Sequence, residues 1–226
     1  QNARVMTGVT VTWRSSDTSV ATVDQAGLVT AISTGTAAVT ASAGPASASA
    51  GITVNAPRLA DWDILVTLYE ATDGPNWTNS ENWLTDAPLG EWYGVDTGRS
   101  GRVVRLDLAG RWDHETERFA EHGLSGPIPP ELGNLTGLRE LRLGHNDLTG
   151  PIPPELGNLA SLRDLRLGPN DLTGPIPPEL GDLSNLTDLV LYNNDLSGPI
   201  PPELGKLTGL RRLSISNNNF LGPIPP

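Results

Sequence analysis

The sequence predicts a multidomain protein: an all-β sandwich at the N-terminus, followed by an α/β solenoid with a parallel sheet on its concave face. Three observations lead there. Gly-Pro-Ile-Pro-Pro recurs with its glycine at Gly126, Gly150, Gly174, Gly198 and Gly222, always 24 residues apart. A unit that small cannot bury its own apolar face and has to stack on its neighbours. The first 55 or so residues are instead rich in Val, Thr, Ser, Ala and Gly. They read as short alternating runs, separated by turn residues, as an antiparallel sandwich requires. Between these regions lies a stretch that holds four of the six tryptophans: Trp62, Trp77, Trp83 and Trp92.

In the N-terminal region, the segment from Val9 to Trp13 alternates, and further runs fall at Val20–Val23, Leu28–Ile32, Ala37–Ala41 and Ala50–Val54. Turns are expected at Ser15-Ser16-Asp17, Gln25-Ala26-Gly27, Ser33-Thr34-Gly35 and Gly44-Pro45. The residues from Thr10 to Asp24, with Gly27-Leu28-Val29-Thr30-Ala31 and Gly35-Thr36-Ala37, resemble the bacterial Ig-like group 2 domain. That family has further strands before this point, so the resemblance implies a sandwich truncated at its N-terminus, over residues 1–55. Trp13 is expected in its core. Pro57 makes 56–60 a linker.

Residues 61–101 form a second unit. Asp61 is placed to cap a helix running to about Tyr69, with Ile64, Leu65, Leu68 and Tyr69 on one face and Asp73-Gly74-Pro75 as its stop. The segment Leu68–Trp77, with Asn82-Trp83-Leu84 and Glu91-Trp92-Tyr93-Gly94-Val95, resembles the N-terminal cap of plant-type leucine-rich repeat proteins. Members of that family flank the Trp-x-Gly-Val element with a cysteine pair. This chain has no cysteine, so buried indoles are expected to brace the cap.

Residues 102–226 are the solenoid. One unit reads Leu138-x-x-Leu141-x-Leu143-x-x-Asn146-x-Leu148-Thr149-Gly150-x-Ile152-Pro153-x-x-Leu156-Gly157-x-Leu159. This is similar to the plant-type leucine-rich repeat. The resemblance implies strands on the concave face and short 3-10 or helical turns on the convex face. Leu141 and Leu143 point inward, as do Leu165/Leu167, Leu189/Leu191 and Leu213/Ile215. Asn146, Asn170, Asn194 and Asn218 stand where the chain leaves the strand. There a carboxamide can satisfy both donors and acceptors of a buried turn. Gly150 and its counterparts allow a tight bend, and the prolines keep the convex side from extending into a long helix. The first coil departs from the pattern. Leu108 to Gly126 spans 18 residues where Leu143 to Gly150 spans 7, which places an insertion within residues 111–122. Insertions of this kind become loops on one face.

Function is bounded by charge and by motifs. A net charge of −11 repels nucleic acid and anionic membranes, and no apolar run approaches the roughly 20 residues that span a bilayer. No nucleophile elbow or phosphate-cradling loop is present, so no enzyme and no cofactor is expected. The outward positions of the concave strands are Arg105, Asp107, Glu140, Arg142, Asp164, Arg166, Asp188, Val190, Tyr192 and Arg212, with Ser214. They form acidic and basic columns side by side, either mutually neutralising or a polar platform for a partner, with Tyr192 as its aromatic anchor. In the insertion, His114, Glu117 and Glu121 would share a face if helical, with His122 nearby, as low-ranked metal candidates beside the reading of a solvated loop. The hydroxyls of Thr149, Thr173 and Ser197 form a short ladder that Leu221 breaks. This suggests an ice or crystal surface only weakly.

Both resemblances imply an extracellular or surface-attached bacterial recognition or adhesion module that binds a protein or glycan through the solenoid. A passive stalk is the alternative. The chain begins at Gln1 and stops at Pro226 inside a repeat, and it is read as a piece of a longer protein.

Overall fold

The computed structural model describes residues 10–33, 35–54, 61–113 and 118–223. It forms two compact units, residues 1–58 and residues 59–226. The linker expected at 56–60 lies outside the described residues.

The first unit contains β1 (Thr12–Ser15), β2 (Ala21–Val23), β3 (Val29–Ala31), β4 (Gly35–Ala43) and β5 (Ala46–Val54). All pairings are antiparallel: β1, β4 and β5 make one sheet, and β2 and β3 a second. The turns follow from their side chains. Asp17 Oδ1 accepts from Ser19 N–H at 2.9 Å, and Asp24 Oδ1 accepts from the N–H groups of Ala26 and Leu28 at 2.8 Å. Gly44, at φ 60°, turns β4 into β5. Val20, Ala21 and Ala37 form the small core, with Ile52 and Val54 packed against it. Trp13 is not in that core. It is 37% exposed and lies over Gly27, where a Cβ would stand 2.7 Å from the indole. The aromatic ring therefore covers a turn glycine instead of filling the space between sheets.

The second unit opens with α1 (Asp61–Ala71), whose Ile64, Leu65 and Leu68 are fully buried. Asp61 does not cap it. Its carboxylate accepts from Arg102 Nε at 2.9 Å and from Val103 N–H at 2.7 Å, tying the helix start to the first strand of the solenoid. Three indoles brace the cap as expected: Trp77, Trp83 and Trp92 are buried in mutual edge or tilted contact. Each indole N–H finds a carbonyl, of Thr72 (2.8 Å), Tyr93 (2.9 Å) and Ala87 (3.1 Å) respectively. Trp62 is exposed.

From β6 (Val95–Thr97) onward the chain coils. The first coil runs through β7 (Val103–Asp107), the insertion strands β8 (Arg111–Asp113) and β9 (Arg118–Ala120), and β10 (Ser125–Pro127). Later coils each supply two strands: β11 (Glu140–Arg142) and β12 (Asp147–Pro151), β13 (Asp164–Arg166) and β14 (Asp171–Gly174), β15 (Asp188–Val190) and β16 (Asp195–Gly198), and β17 (Arg212–Ser214) and β18 (Asn219–Phe220). One sheet has the order β17-β15-β13-β11-β7-β6. It is parallel except for β6, which belongs to the cap and pairs antiparallel with β7. The expected border between cap and solenoid thus falls inside a β-hairpin. A second parallel sheet runs β10-β12-β14-β16-β18. Between coils the chain makes 3-10 turns at Pro130–Asn134, Pro154–Asn158, Pro178–Asp182 and Pro202–Lys206, each with proline in its first positions.

One continuous core runs from Ile64 to Leu207. Leu141, Leu165, Leu189 and Leu213 lie in one row. The first three are fully buried; Leu213 is 46% exposed, on the last strand of its sheet. Each buried leucine contributes about 1.5–3 kcal/mol relative to exposure.

The asparagines interlock the coils. Asn170 Oδ1 accepts from Leu148 N–H at 3.0 Å, and its Nδ2 donates to the carbonyls of Leu143 (3.0 Å) and Leu167 (2.7 Å). Asn146, Asn194 and Asn218 repeat the pattern. The register of the second sheet advances differently from that of the first. Leu141 pairs with Leu165, 24 residues on, but Gly150 pairs with Leu172, 22 residues on. Gly150, Gly174 and Gly198, at φ 76–79°, make the bend into the convex side.

Replacing Asn170 with alanine would orphan the buried Leu148 N–H and leave the Leu143 and Leu167 carbonyls one side-chain donor each, from Asn146 and Asn194, and it should cost about 2–3 kcal/mol in chemical denaturation. Asn218→Ala, at the half-buried end of the same ladder, should cost about 1 kcal/mol. Equal losses would contradict this account.

Candidate functional site

The concave sheet presents three outward columns. The first is Arg105, Glu140, Asp164, Asp188 and Arg212; the second is Asp107, Arg142, Arg166, Val190 and Ser214; the third is Ala109, Gly144, Gly168, Tyr192 and Ser216.

The first two columns form one continuous zipper. Arg105 reaches Asp107 at 2.6 Å and both Asp96 and Glu140 at 3.2 Å. Arg142 reaches Asp164 at 2.7 Å, Glu140 at 2.9 Å and Asp107 at 3.8 Å. Arg166 reaches Asp164 at 2.7 Å and Asp188 at 4.0 Å. These groups are partly solvated, so each pair contributes at most about 1 kcal/mol. Their main consequence is geometric: guanidinium planes that would otherwise sample many rotamers are held in place. Asp164 and Val190 are buried within the face by their neighbours.

The third column forms the floor of a cleft of about 510 Å³. Gly144 and Gly168 are required by packing, since a Cβ on either would stand within 2.2 Å of the carbonyl oxygen of the next coil. Tyr192 breaks the run of small residues at one end. Of the residues expected at the site, Arg105, Asp107, Arg142, Arg166, Val190, Tyr192 and Arg212 line this cleft. Glu140, Asp164 and Asp188 do not, and they serve as counter-ions to the arginines. Sequence reasoning missed the floor (Ala109, Gly110, Gly144, Gly168) and two flanking residues, Arg111 and His145. The signal was available in the repeat alignment, where a small-residue column runs into an aromatic. Arg111 also covers the Tyr93 ring, 5.5 Å from its centre.

The described flanks of the insertion are strands. β8 and β9 pair antiparallel, Arg111 with Ala120 and Asp113 with Arg118. Residues 118–120 are strand, so no helix runs through to Glu121. His114 and Glu117 lie outside the described residues, Glu121 is exposed and His122 is buried. Among the described residues no cluster suited to a metal ion occurs. His122 is a packing residue instead: 4% exposed, stacked on Tyr93 at 5.1 Å and tilted against Trp77 at 5.7 Å. Its Nε2 has no hydrogen-bond partner among the described residues.

The hydroxyl ladder on the second sheet also differs from expectation. The 22-residue register sets Thr149 beside Asp171, Thr173 beside Asp195 and Ser197 beside Asn219. A straight row across the strands therefore mixes hydroxyls with carboxylates.

Comparison with known proteins agrees with this architecture. Residues 3–54 match the model of the bacterial Ig-like domain (group 2), and residues 137–159, 185–207 and 209–226 match that of the Leucine Rich Repeat. Among solved structures, the BIR2 ectodomain from Arabidopsis thaliana is 36% identical, with 73% of this chain and 83% of that chain covered and a TM-score of 0.63. The BIR3–SERK2 complex from Arabidopsis thaliana gives 31% identity, 72% and 84% coverage and a TM-score of 0.62. A plant ice-binding protein gives 31% identity, 71% and 48% coverage and a TM-score of 0.62. No curated protein matches. The chain belongs to the leucine-rich repeat family and carries a bacterial Ig-like domain of group 2 before its repeats. Among the described residues no helix is long and apolar enough to cross a membrane.

Burial lowers the pKa of His122 below its ordinary 6.5; the Asn79 backbone opposes this, Arg111 adds to it and Asp107 opposes it. Burial likewise lowers the pKa of His145. For a depressed histidine the unfolded chain takes up the proton first, so the stability is present above about pH 6.5 and lost as pH falls through the folded value. The unfolding midpoint should therefore decline from about pH 7 to about pH 5. His122→Phe, which keeps the stacking, should remove part of that slope. Identical pH profiles for the two proteins would contradict the assignment.

Proposed function

We propose that this chain is a non-catalytic recognition and adhesion module, displayed outside a bacterial cell, that binds a protein or glycan partner in the cleft beneath Tyr192. The Ig-like unit serves as its spacer. One observation carries the reading: a trough floored by Ala109, Gly144 and Gly168, flanked by arginines held in ion pairs and ended by an aromatic ring. A surface already ordered before contact avoids much of the entropic cost of association. Tyrosine and arginine are the side chains that most often dominate binding energy. The floor accepts an extended chain because it has no side chains to displace. The similarity to a chain of the BIR3–SERK2 complex supports a macromolecular partner.

The stalk alternative draws support from the near-identity of successive coils. Against it, the coils stop being identical at Val190 and Tyr192, where the cleft ends. Ice binding is disfavoured by the carboxylates of Asp171 and Asp195, which interrupt the hydroxyl row.

Peptide and glycan arrays probed with the whole chain test the proposal. Tyr192→Ala and Arg166→Glu should each weaken an array ligand by about tenfold or more, while a surface change on the convex side, Glu179→Gln, should not. Ligands retained equally by all variants would contradict binding in this cleft, and no ligand at all would favour the stalk.

A further inference from the structure

The hairpin joining β6 to β7 points to a second, separate binding site. Its turn is closed by Gly101 N–H donating to the Gly98 carbonyl and Gly98 N–H donating to the Arg102 carbonyl, both at 2.9 Å. With the segments that lead into β11 and β13 it lines a cleft of about 660 Å³. Three guanidinium groups (Arg99, Arg102, Arg139) and three hydroxyls (Ser100, Thr136, Ser161) line it, and no carboxylate or aromatic ring does.

This is unusual in a chain with 26 acidic and 15 basic residues. On the neighbouring columns every arginine from Arg105 to Arg166 is neutralised by carboxylates. Here, among the described residues, Arg99 and Arg139 make no ion pair and no side-chain hydrogen bond, nor does Arg163, which occupies the position of Arg139 one coil on. Arg163 N–H donates to the Arg139 carbonyl at 2.8 Å, so the two cations stand at the starts of adjacent strands, whose backbones run about 4.8 Å apart. Like charges across adjacent strands are destabilising. A bound anion removes that cost. Arg102 is already oriented, because Asp61 holds its Nε at 2.9 Å and its Nη2 at 2.7 Å, leaving Nη1 free to donate.

We propose that this cleft binds a tetrahedral oxyanion, the sulfate or phosphate ester of a larger ligand. A carboxylate has two oxygens. Two guanidinium forks (Arg99 and Arg139), the Nη1 of Arg102 and three hydroxyls offer more donors than that, and suit a group with three or four oxygens. The lack of an aromatic lining leaves nothing on which a base or sugar face would stack. The net charge of −11 repels a long polyanion, so the anionic group is presented locally.

Isothermal titration of the whole chain with sodium sulfate, sodium phosphate, sucrose octasulfate and inositol hexakisphosphate, at constant ionic strength, provides the test. At least one should bind saturably, and the preference between the sulfated and phosphorylated probes identifies the ester. Arg99→Ser and Arg139→Ser remove exposed side chains that have no partner among the described residues, so both variants should keep the unfolding midpoint. Each should weaken binding by about tenfold or more. Arg14→Ser, an exposed arginine of the first unit, should leave it unchanged. Absence of saturable binding by all four probes, binding undiminished in both cleft variants, or an equal loss in Arg14→Ser would overturn the proposal.

Discussion

No coil of this solenoid can complete its own hydrogen bonding, and the rest of the structure depends on how that deficit is met. After each concave strand the chain turns inward over a leucine core, where water cannot serve its amides. The recurring asparagine meets the deficit across coils: its oxygen takes an N–H from the preceding coil, and its amide nitrogen bridges carbonyls of that coil and its own. The leucines supply most of the burial energy, but leucine contacts alone are non-directional. The carboxamides set the register in which those leucines meet.

A stiff register has consequences at the surface. Because Glu140, Asp164 and Asp188 fall in line, their carboxylates can alternate with Arg105, Arg142 and Arg166 along a single zipper, and the arginines face the cleft already oriented. The ends of the stack show what neighbours contribute. Leu213 is half-exposed where Leu189 is fully buried, and Asn218 is less buried than Asn194. At the other end the cap meets the same need by different means. Three indoles cover the core while their N–H groups bond to carbonyls, and Asp61 anchors the helix to the first strand.

Much of this was readable in the sequence, for a physical reason. A strict repeat states the same local solution several times, so the inward leucines, the asparagine ladder, the bend glycines and the 3-10 turns with proline at their start followed directly. The concave columns were readable too, because residues alternate faces along a strand. What escaped lies where the repeat ends or pairs unexpectedly. Trp13 looked like a core residue on composition, but a glycine two strands away offered it a surface berth. Asp61 stood at a helix start, yet a distant arginine and backbone amide compete for its oxygens. The insertion was read for a helical face of His114, Glu117 and Glu121, whereas its flanks pair as strands. The staggered register of the second sheet, which dismantles the hydroxyl row, depends on how coils incline against one another, and no single coil encodes that. The cleft floor was missed because glycine and alanine carry no chemistry of their own; their importance is the space they leave beside Tyr192.

The most direct test of the central claim is amide hydrogen exchange on the unmodified chain. If the asparagines close the turns, the N–H groups of Leu148 and Leu172, which donate to Asn170 and Asn194, should exchange only through global unfolding, and that of Leu196, bonded to the half-buried Asn218, should exchange faster. Exchange of the Leu148 and Leu172 amides at the rate of exposed loops would contradict the account.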